Sequence, residues 1–195
     1  MKKIFGPVLL AASLAATFTA CSDKSAAPDE AVTFRCEQAG VPAPKWTCSP
    51  EAAMEGAVTD VGSAPLSKLG SGFSRREALA NARSSLAQQM ETLVKDKVET
   101  FARSTGVGGN EVADKVSTQV SKQVAKVTLK GSKQLDYWQN PKTQEIYILV
   151  GLNENAMNEE IKNRVRTSYK NDEALWQQFQ AKNALEGLEK EFPTD

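Results

Sequence analysis

Eight apolar residues, Leu79, Ala82, Leu86, Met90, Leu93, Val94, Val98 and Phe101, recur at spacings of three and four. This pattern constrains the fold more than any other part of the chain. Arg83, Gln88, Glu91, Lys95, Asp96 and Glu99 fill the gaps between them. The period is that of an α-helix with one apolar face. Ser74-Arg-Arg-Glu77 reads as a capping box that starts the helix, with Ser74 at the cap and Glu77 reaching back. Gly106-Val-Gly-Gly109 should stop it near Thr105. A helix with a single apolar stripe must bury that stripe against a second layer, which the rest of the chain has to supply.

Strand-like patterns lie on both sides of it. Ala57-Val-Thr-Asp-Val-Gly-Ser63 reads as a short strand, followed by a loop marked by Pro65, Gly70 and Gly72. After the long helix, Asn110-Glu111 can begin a second one, with Val112, Val116, Val120 and Val124 on one face. The segment Val127 to Trp138 is rich in β-branched and aromatic residues and reads as a strand, with Gly131 as a bulge. Asn140-Pro-Lys-Thr143 is turn chemistry. Glu145 to Leu152 is a second strand, apolar on both faces and therefore central or covered on both sides.

Beyond it, Asn153 or Asn155 can cap a helix carrying Met157, Ile161, Val165 and Tyr169. A break near Asn171-Asp172 precedes another amphipathic stretch with Leu175, Trp176, Phe179, Leu185, Leu188 and Phe192. This tail is expected to pack back on its own sheet, with oligomerisation as the alternative. The expected fold class is α+β: a long amphipathic helix packed on a small antiparallel sheet, with a C-terminal helical extension.

The first residues carry a different kind of information. Met1-Lys2-Lys3, an apolar run from Ile4 to Ala16, and Thr17-Phe-Thr-Ala-Cys21 have the order of a bacterial lipoprotein signal. The uncharged stretch is short and interrupted by Gly6-Pro7, which argues against a spanning helix. Thr19, Ala20 and Cys21 fit a lipobox, and Phe18 replaces its usual Leu. Cys21 is thus the candidate lipidation site, carrying palmitate among its acyl chains. The residue after Cys21 is Ser22, not Asp, and by resemblance to the known lipoprotein sorting rule this implies the outer membrane, facing the periplasm. Cleavage before Cys21 leaves 22 basic and 24 acidic side chains, no footprint for nucleic acid.

The chain has no histidine. That removes Ser-His-Asp and Cys-His catalysis and His-based zinc sites. No catalytic residue, metal ligand set or cofactor is expected. Asp96, Glu99, Glu159 and Glu160 sit in charged helical surroundings and read as solvated faces. The two remaining cysteines, Cys36 and Cys48, form an even pair suited to an oxidising compartment and read as a structural disulfide, with Trp46 packing on it. The expected organisation is a signal over 1–20, an anchor and flexible tether over 21–35, a disulfide loop over 36–50, an α+β domain over 51–153 and a helical extension over 154–195.

The run from Ser74 to Leu152 resembles the bacterial LPP-twenty lipoprotein family, which includes the flagellar assembly lipoprotein FlgP. Three segments carry the resemblance. They are the Gly-rich approach into an Ala-rich helix, Gly70-Ser-Gly-Phe-Ser-Arg-Arg-Glu-Ala-Leu-Ala-Asn-Ala-Arg, the polar Val116-Ser-Thr-Gln-Val-Ser-Lys, and the hairpin Leu135-Asp-Tyr-Trp-Gln-Asn-Pro with Ile146-Tyr-Ile-Leu-Val-Gly-Leu. The resemblance implies a small membrane-tethered α+β domain without enzymatic chemistry, some members serving in outer-membrane rings. The Cys36/Cys48 loop and the tail after Leu152 depart from it. The expected role is structural or assembly work in the cell envelope through protein contacts, with Tyr137, Trp138 and Tyr147 as candidate contacts. The expected partners are the membrane, through the N-terminal lipid, and envelope proteins, including further copies of the chain. A periplasmic ligand-binding or sensing module, or a regulator of a cell-wall enzyme, are the alternatives.

Overall fold

The computed structural model describes residues 35–194. Cys21, the signal over 1–20 and the tether up to residue 34 lie outside the described residues. Residues from Arg35 onward form one compact unit. Its elements are β1 (Glu37–Gln38), β2 (Val41–Pro42), two short 3-10 turns (Lys45–Thr47 and Pro50–Ala52), β3 (Ala57–Ala64), α1 (Ser71–Thr105), α2 (Gly109–Gly131), β4 (Lys133–Gln139), β5 (Ile146–Asn153), α3 (Glu154–Lys170), α4 (Glu173–Ala181) and α5 (Ala184–Glu191). The fold is α+β, as the sequence predicts.

The sheet has the order β3-β5-β4 and is antiparallel throughout. β5 is central, which explains why both its faces are apolar: Ile146, Ile148, Leu149 and Val150 are all buried. One face carries α1. Gly62 makes that contact close, since a Cβ there would fall 2.1 Å from the Ala82 amide nitrogen and 2.6 Å from the Ala78 carbonyl. Small residues on both sides let helix and strand backbones meet, and Asn81 Nδ2 donating to the Ser63 carbonyl (2.9 Å) and Ser85 Oγ to Asp60 Oδ2 (2.7 Å) pin the helix along β3.

The other face is closed by the N-terminal loop. Cys36 and Cys48 are disulfide-bonded, with Cα atoms 5.9 Å apart. The 3-10 turn holding the buried Trp46 lies against β5, and Thr59 donates its hydroxyl to the Pro50 carbonyl beside β3.

Length decides the rest. The 35 residues of α1 extend about 52 Å, whereas the eight-residue strands beneath it span about 26 Å. The C-terminal part of α1 overhangs the sheet, and its stripe needs other partners. α2 folds back along it after Gly106, whose αL conformation (φ 63°) ends α1 at Thr105 as expected. α3, α4 and α5 complete this second core. Met90, Val94, Val98 and Phe101 of α1 join Val116, Val120 and Val124 of α2 and Met157, Ile161, Val165, Tyr169, Phe179, Leu188 and Phe192 of the tail. The tail thus packs mainly on the helical hairpin rather than on the sheet, correcting the expectation for it. Asn153 caps α3 by accepting the Ala156 N–H (2.9 Å), and Asp172 caps α4 through the Leu175 N–H (3.0 Å).

Two further expectations are corrected. α1 begins at Ser71, three residues before Ser74, so Ser74 is no N-cap. Its side chain is buried, and its hydroxyl accepts the Ser67 N–H at 2.7 Å, tying the preceding loop to the helix. Val127–Gly131 is helical, and β4 starts only at Lys133. Gly131 ends α2, and the strand irregularity falls between Gln134 and Asp136. Thr128 continues the buried face of Val116, Val120 and Val124 against α1, so tertiary packing overrides the β preference of Val and Thr.

Candidate functional site

The alternation of β4 separates the three aromatic candidates. Trp138 pairs with Tyr147 across the hairpin, their ring centroids 5.3 Å apart, on the face closed by the disulfide loop. Tyr137 pairs with Ile148 on the α1 face, is 40% exposed, and has the Arg75 guanidinium 5.5 Å above its ring. The structure brings Trp138 and Tyr147 together and leaves Tyr137 apart.

Tyr147 is committed to the fold. Its hydroxyl donates to Glu145 Oε2 at 3.1 Å, with Gln38 Oε1 as a second acceptor at 3.3 Å. Glu145 in turn accepts the Ser63 hydroxyl at 2.7 Å. Burial, and then the neighbouring Glu145 carboxylate, push the Tyr147 phenol up to about 12. The buried Asn140 works beside it. Its Oδ1 accepts the N–H groups of Lys142 (2.8 Å) and Thr143 (3.1 Å), building the turn, and its Nδ2 donates to the Gln38 carbonyl (2.8 Å). These bonds dock the disulfide loop on one end of the sheet. Cys36, Cys48, Gln38, Asn140 and Tyr147 therefore act as one clasp.

At the opposite end of the sheet an open cleft of about 390 Å³ lies among Met54, Ala57, Leu135 and Leu152, with Lys133 and Glu55 as its charged members. Nothing in the sequence marks it, because its walls come from three separate segments.

Lys162 is the one buried lysine among the described residues. Its ammonium contacts Glu159 and Glu189, each at 2.7 Å, and donates to Thr194 Oγ1 at 3.0 Å. The two carboxylates hold it above the ordinary lysine range, and Lys162 with Thr194 holds Glu159 below the ordinary carboxylate range. This network locks α5 and the chain end onto α3; Glu189 also pairs with Arg166 at 2.6 Å.

Among the described residues no three His, Cys, Asp or Glu side chains converge on a metal-sized site, and no helix is long and apolar enough to cross a membrane.

The family model described as LPP20 lipoprotein matches residues 44–153. That span runs from the turn bearing Trp46 through the whole three-stranded sheet and the α1–α2 hairpin, more than half of the chain. No curated protein matches the chain.

Proposed function

The chain belongs to the LPP20 lipoprotein family, and from that premise we propose that it is an outer-membrane-anchored, periplasm-facing lipoprotein that works without catalysis, as a structural or assembly component through protein contacts. The observation that carries this reading is the family match over the sheet and the α1–α2 hairpin, found in a chain whose first residues end in Thr19-Ala20-Cys21. Two features support it. Three ionisable side chains in buried or half-buried networks are spent on the fold: Tyr147 and Glu145 in the clasp, Lys162 in the C-terminal lock. The α1–α2 hairpin meanwhile leaves Leu93 and Leu129 exposed, two apolar side chains that a protein partner would cover.

Palmitate labelling tests the anchor: the label is expected on the wild-type protein, in the outer-membrane fraction, and absent from Cys21→Ser. An unlabelled wild-type protein would remove the anchor from the reading. In-cell cross-linking with identification of the joined proteins tests the role. Reproducible partners from the envelope, or further copies of the chain, are expected. Capture of a single cell-wall hydrolase or synthase whose activity changes with the lipoprotein would replace assembly by regulation.

The cleft at the Lys133 end favours a second reading, a ligand-binding module. Its volume and apolar walls suit a small amphiphile. Native mass spectrometry of the protein purified from its own envelope decides: a stoichiometric adduct lost in Leu135→Trp supports ligand binding, and an unadducted protein counts against it.

A further inference from the structure

We propose that the loop between β3 and α1, together with the first turns of α1, is a membrane-docking surface, which seats the domain on a phospholipid leaflet bearing anionic headgroups. Leu66 (47% exposed), Leu69 (74%) and Phe73 (38%) project large apolar side chains into solvent within one short segment. Lys68 and Arg76 stand among them, and the Arg76 guanidinium lies 6.0 Å from the centre of the Phe73 ring. From Ala64 to Arg76 there is no carboxylate. Exposed apolar groups interleaved with cations, without acids, match a leaflet interface: the apolar tips enter the acyl boundary while the cations meet phosphates.

The loop presents these groups by construction. The Leu69 N–H is held by Ser67 Oγ (3.1 Å), the Gly70 N–H by the Ser67 carbonyl (3.0 Å), and the Ser67 N–H by the buried Ser74 hydroxyl (2.7 Å). Two of these bonds close the loop on itself and the third ties it to the buried Ser74, and the leucines are left outside.

Its position fits the occupant. Ala64 pairs with Ile146, so the loop leaves the sheet at the end where Asn140 and Lys142 hold the backbone of Gln38 and Ala39. Gln38 and Ala39 follow Arg35, the first described residue, by only three and four positions. Thirteen residues separate Cys21 from Arg35, a reach of about 45 Å at most when extended. A lipid on Cys21 would hold this end of the domain within reach of the leaflet. Only this proximity rests on the anchor proposed above; the surface chemistry does not.

The test uses the lipid-free chain from Ser22 onward, which keeps the whole compact unit. Co-sedimentation with vesicles of phosphatidylethanolamine and phosphatidylglycerol should show binding, falling at least about tenfold on neutral phosphatidylcholine or in high salt. Leu69→Ser with Phe73→Ser should lower it by at least about tenfold, as should Lys68→Ala with Arg76→Ala. The thermal midpoint of each variant is recorded, since these exposed positions should leave it unchanged. No binding to anionic vesicles by the wild-type chain, or equal binding by both folded variants, overturns the proposal. So would a stoichiometric complex with a protein through these residues without vesicle binding. A palmitate-labelled protein whose lipid-free form ignores vesicles loses the docking surface and keeps the anchor; an unlabelled protein that binds vesicles does the reverse.

Discussion

Over its N-terminal half α1 meets the sheet through Ala78, Ala82 and Leu86, and over its C-terminal half it meets other helices through Met90, Val94, Val98 and Phe101. The first contact is narrow. It needs a glycine in the strand, small residues in the helix, and side-chain hydrogen bonds at Ser63 and Asp60. The second is wide and filled by aromatics: Phe101, Tyr169 and Trp176 surround Phe179 with ring centroids 6.2, 5.2 and 5.2 Å away. Val58 and Leu152 touch both cores. The difference shows why the tail after Asn153 is more than an appendage. The matched family span ends at residue 153, but the α1–α2 hairpin within it leaves part of its shared apolar core open, and α3, α4 and α5 close it.

The two cores should fail in opposite ways. Phe101→Ala empties the helical core and should cost about 3–5 kcal/mol by chemical denaturation. If it costs less than Leu86→Ala in the sheet core, the aromatic core is not the stronger of the two. Removing the disulfide with Cys36→Ser and Cys48→Ser should cost about 3 kcal/mol for a loop of this length. The loss should be uneven: hydrogen exchange should rise in β5 and the Trp46 turn, and stay slow in α1 and α2 around Val98 and Val120. Uniform loss would show that the clasp supports both cores. Gly62→Ala acts by excess instead of deficit. Its Cβ has no space against the Ala82 backbone, so helix and strand must separate, at a cost of about 1–3 kcal/mol. Ala82→Gly, which leaves the blocking backbone in place, should not rescue it.

The same contrast explains what could be read in the residues beforehand. The stripe from Ala82 to Phe101 apart from the exposed Leu93, the stop at Gly106, the central position of β5, a cap at Asn153 or Asn155 that the structure resolves to Asn153, and the Cys36–Cys48 pairing all follow from local spacing or elimination. The end of α2 did not, because Val127 and Thr128 prefer strands in isolation and become helical only against α1. Ser74 misled for a related reason: a capping-box spelling is satisfied equally well when the serine turns inward to a loop. Of the candidate contacts, the Trp138–Tyr147 pair was accessible as cross-strand neighbours, whereas its union with Gln38 and Asn140 spans more than one hundred residues. The exposed Leu66, Leu69 and Phe73 carry one signal in the sequence, apolar residues among Gly, Pro and Ser that belong to no periodic face.

The smallest expected effects sharpen the comparison most, because one substitution should have opposite signs in the two regions. Tyr147 beside the sheet and Tyr169 in the helical core both have phenols raised to about 12, for different reasons. Burial alone raises Tyr169, and its buried hydroxyl has no hydrogen-bond partner among the described residues. Tyr147 is raised by burial together with the Glu145 carboxylate that accepts its proton. Near neutral pH, Tyr169→Phe discards a buried, unpaired polar group and should stabilise the protein by about 1 kcal/mol, while Tyr147→Phe breaks the clasp and should cost about 0.5–1.5 kcal/mol. In alkali the two should agree. A phenol raised in the folded state favours the protonated form, so its contribution is complete below the unfolded value near 10 and is lost as pH climbs from about 10 to 12. Each Phe variant should therefore lose less stability than wild type across that window. Thermal midpoints from pH 7 to 12 check both signs; a destabilising Tyr169→Phe at pH 7 would mean that its hydroxyl has a partner, and that the helical core is not the purely apolar counterpart of the hydrogen-bonded sheet.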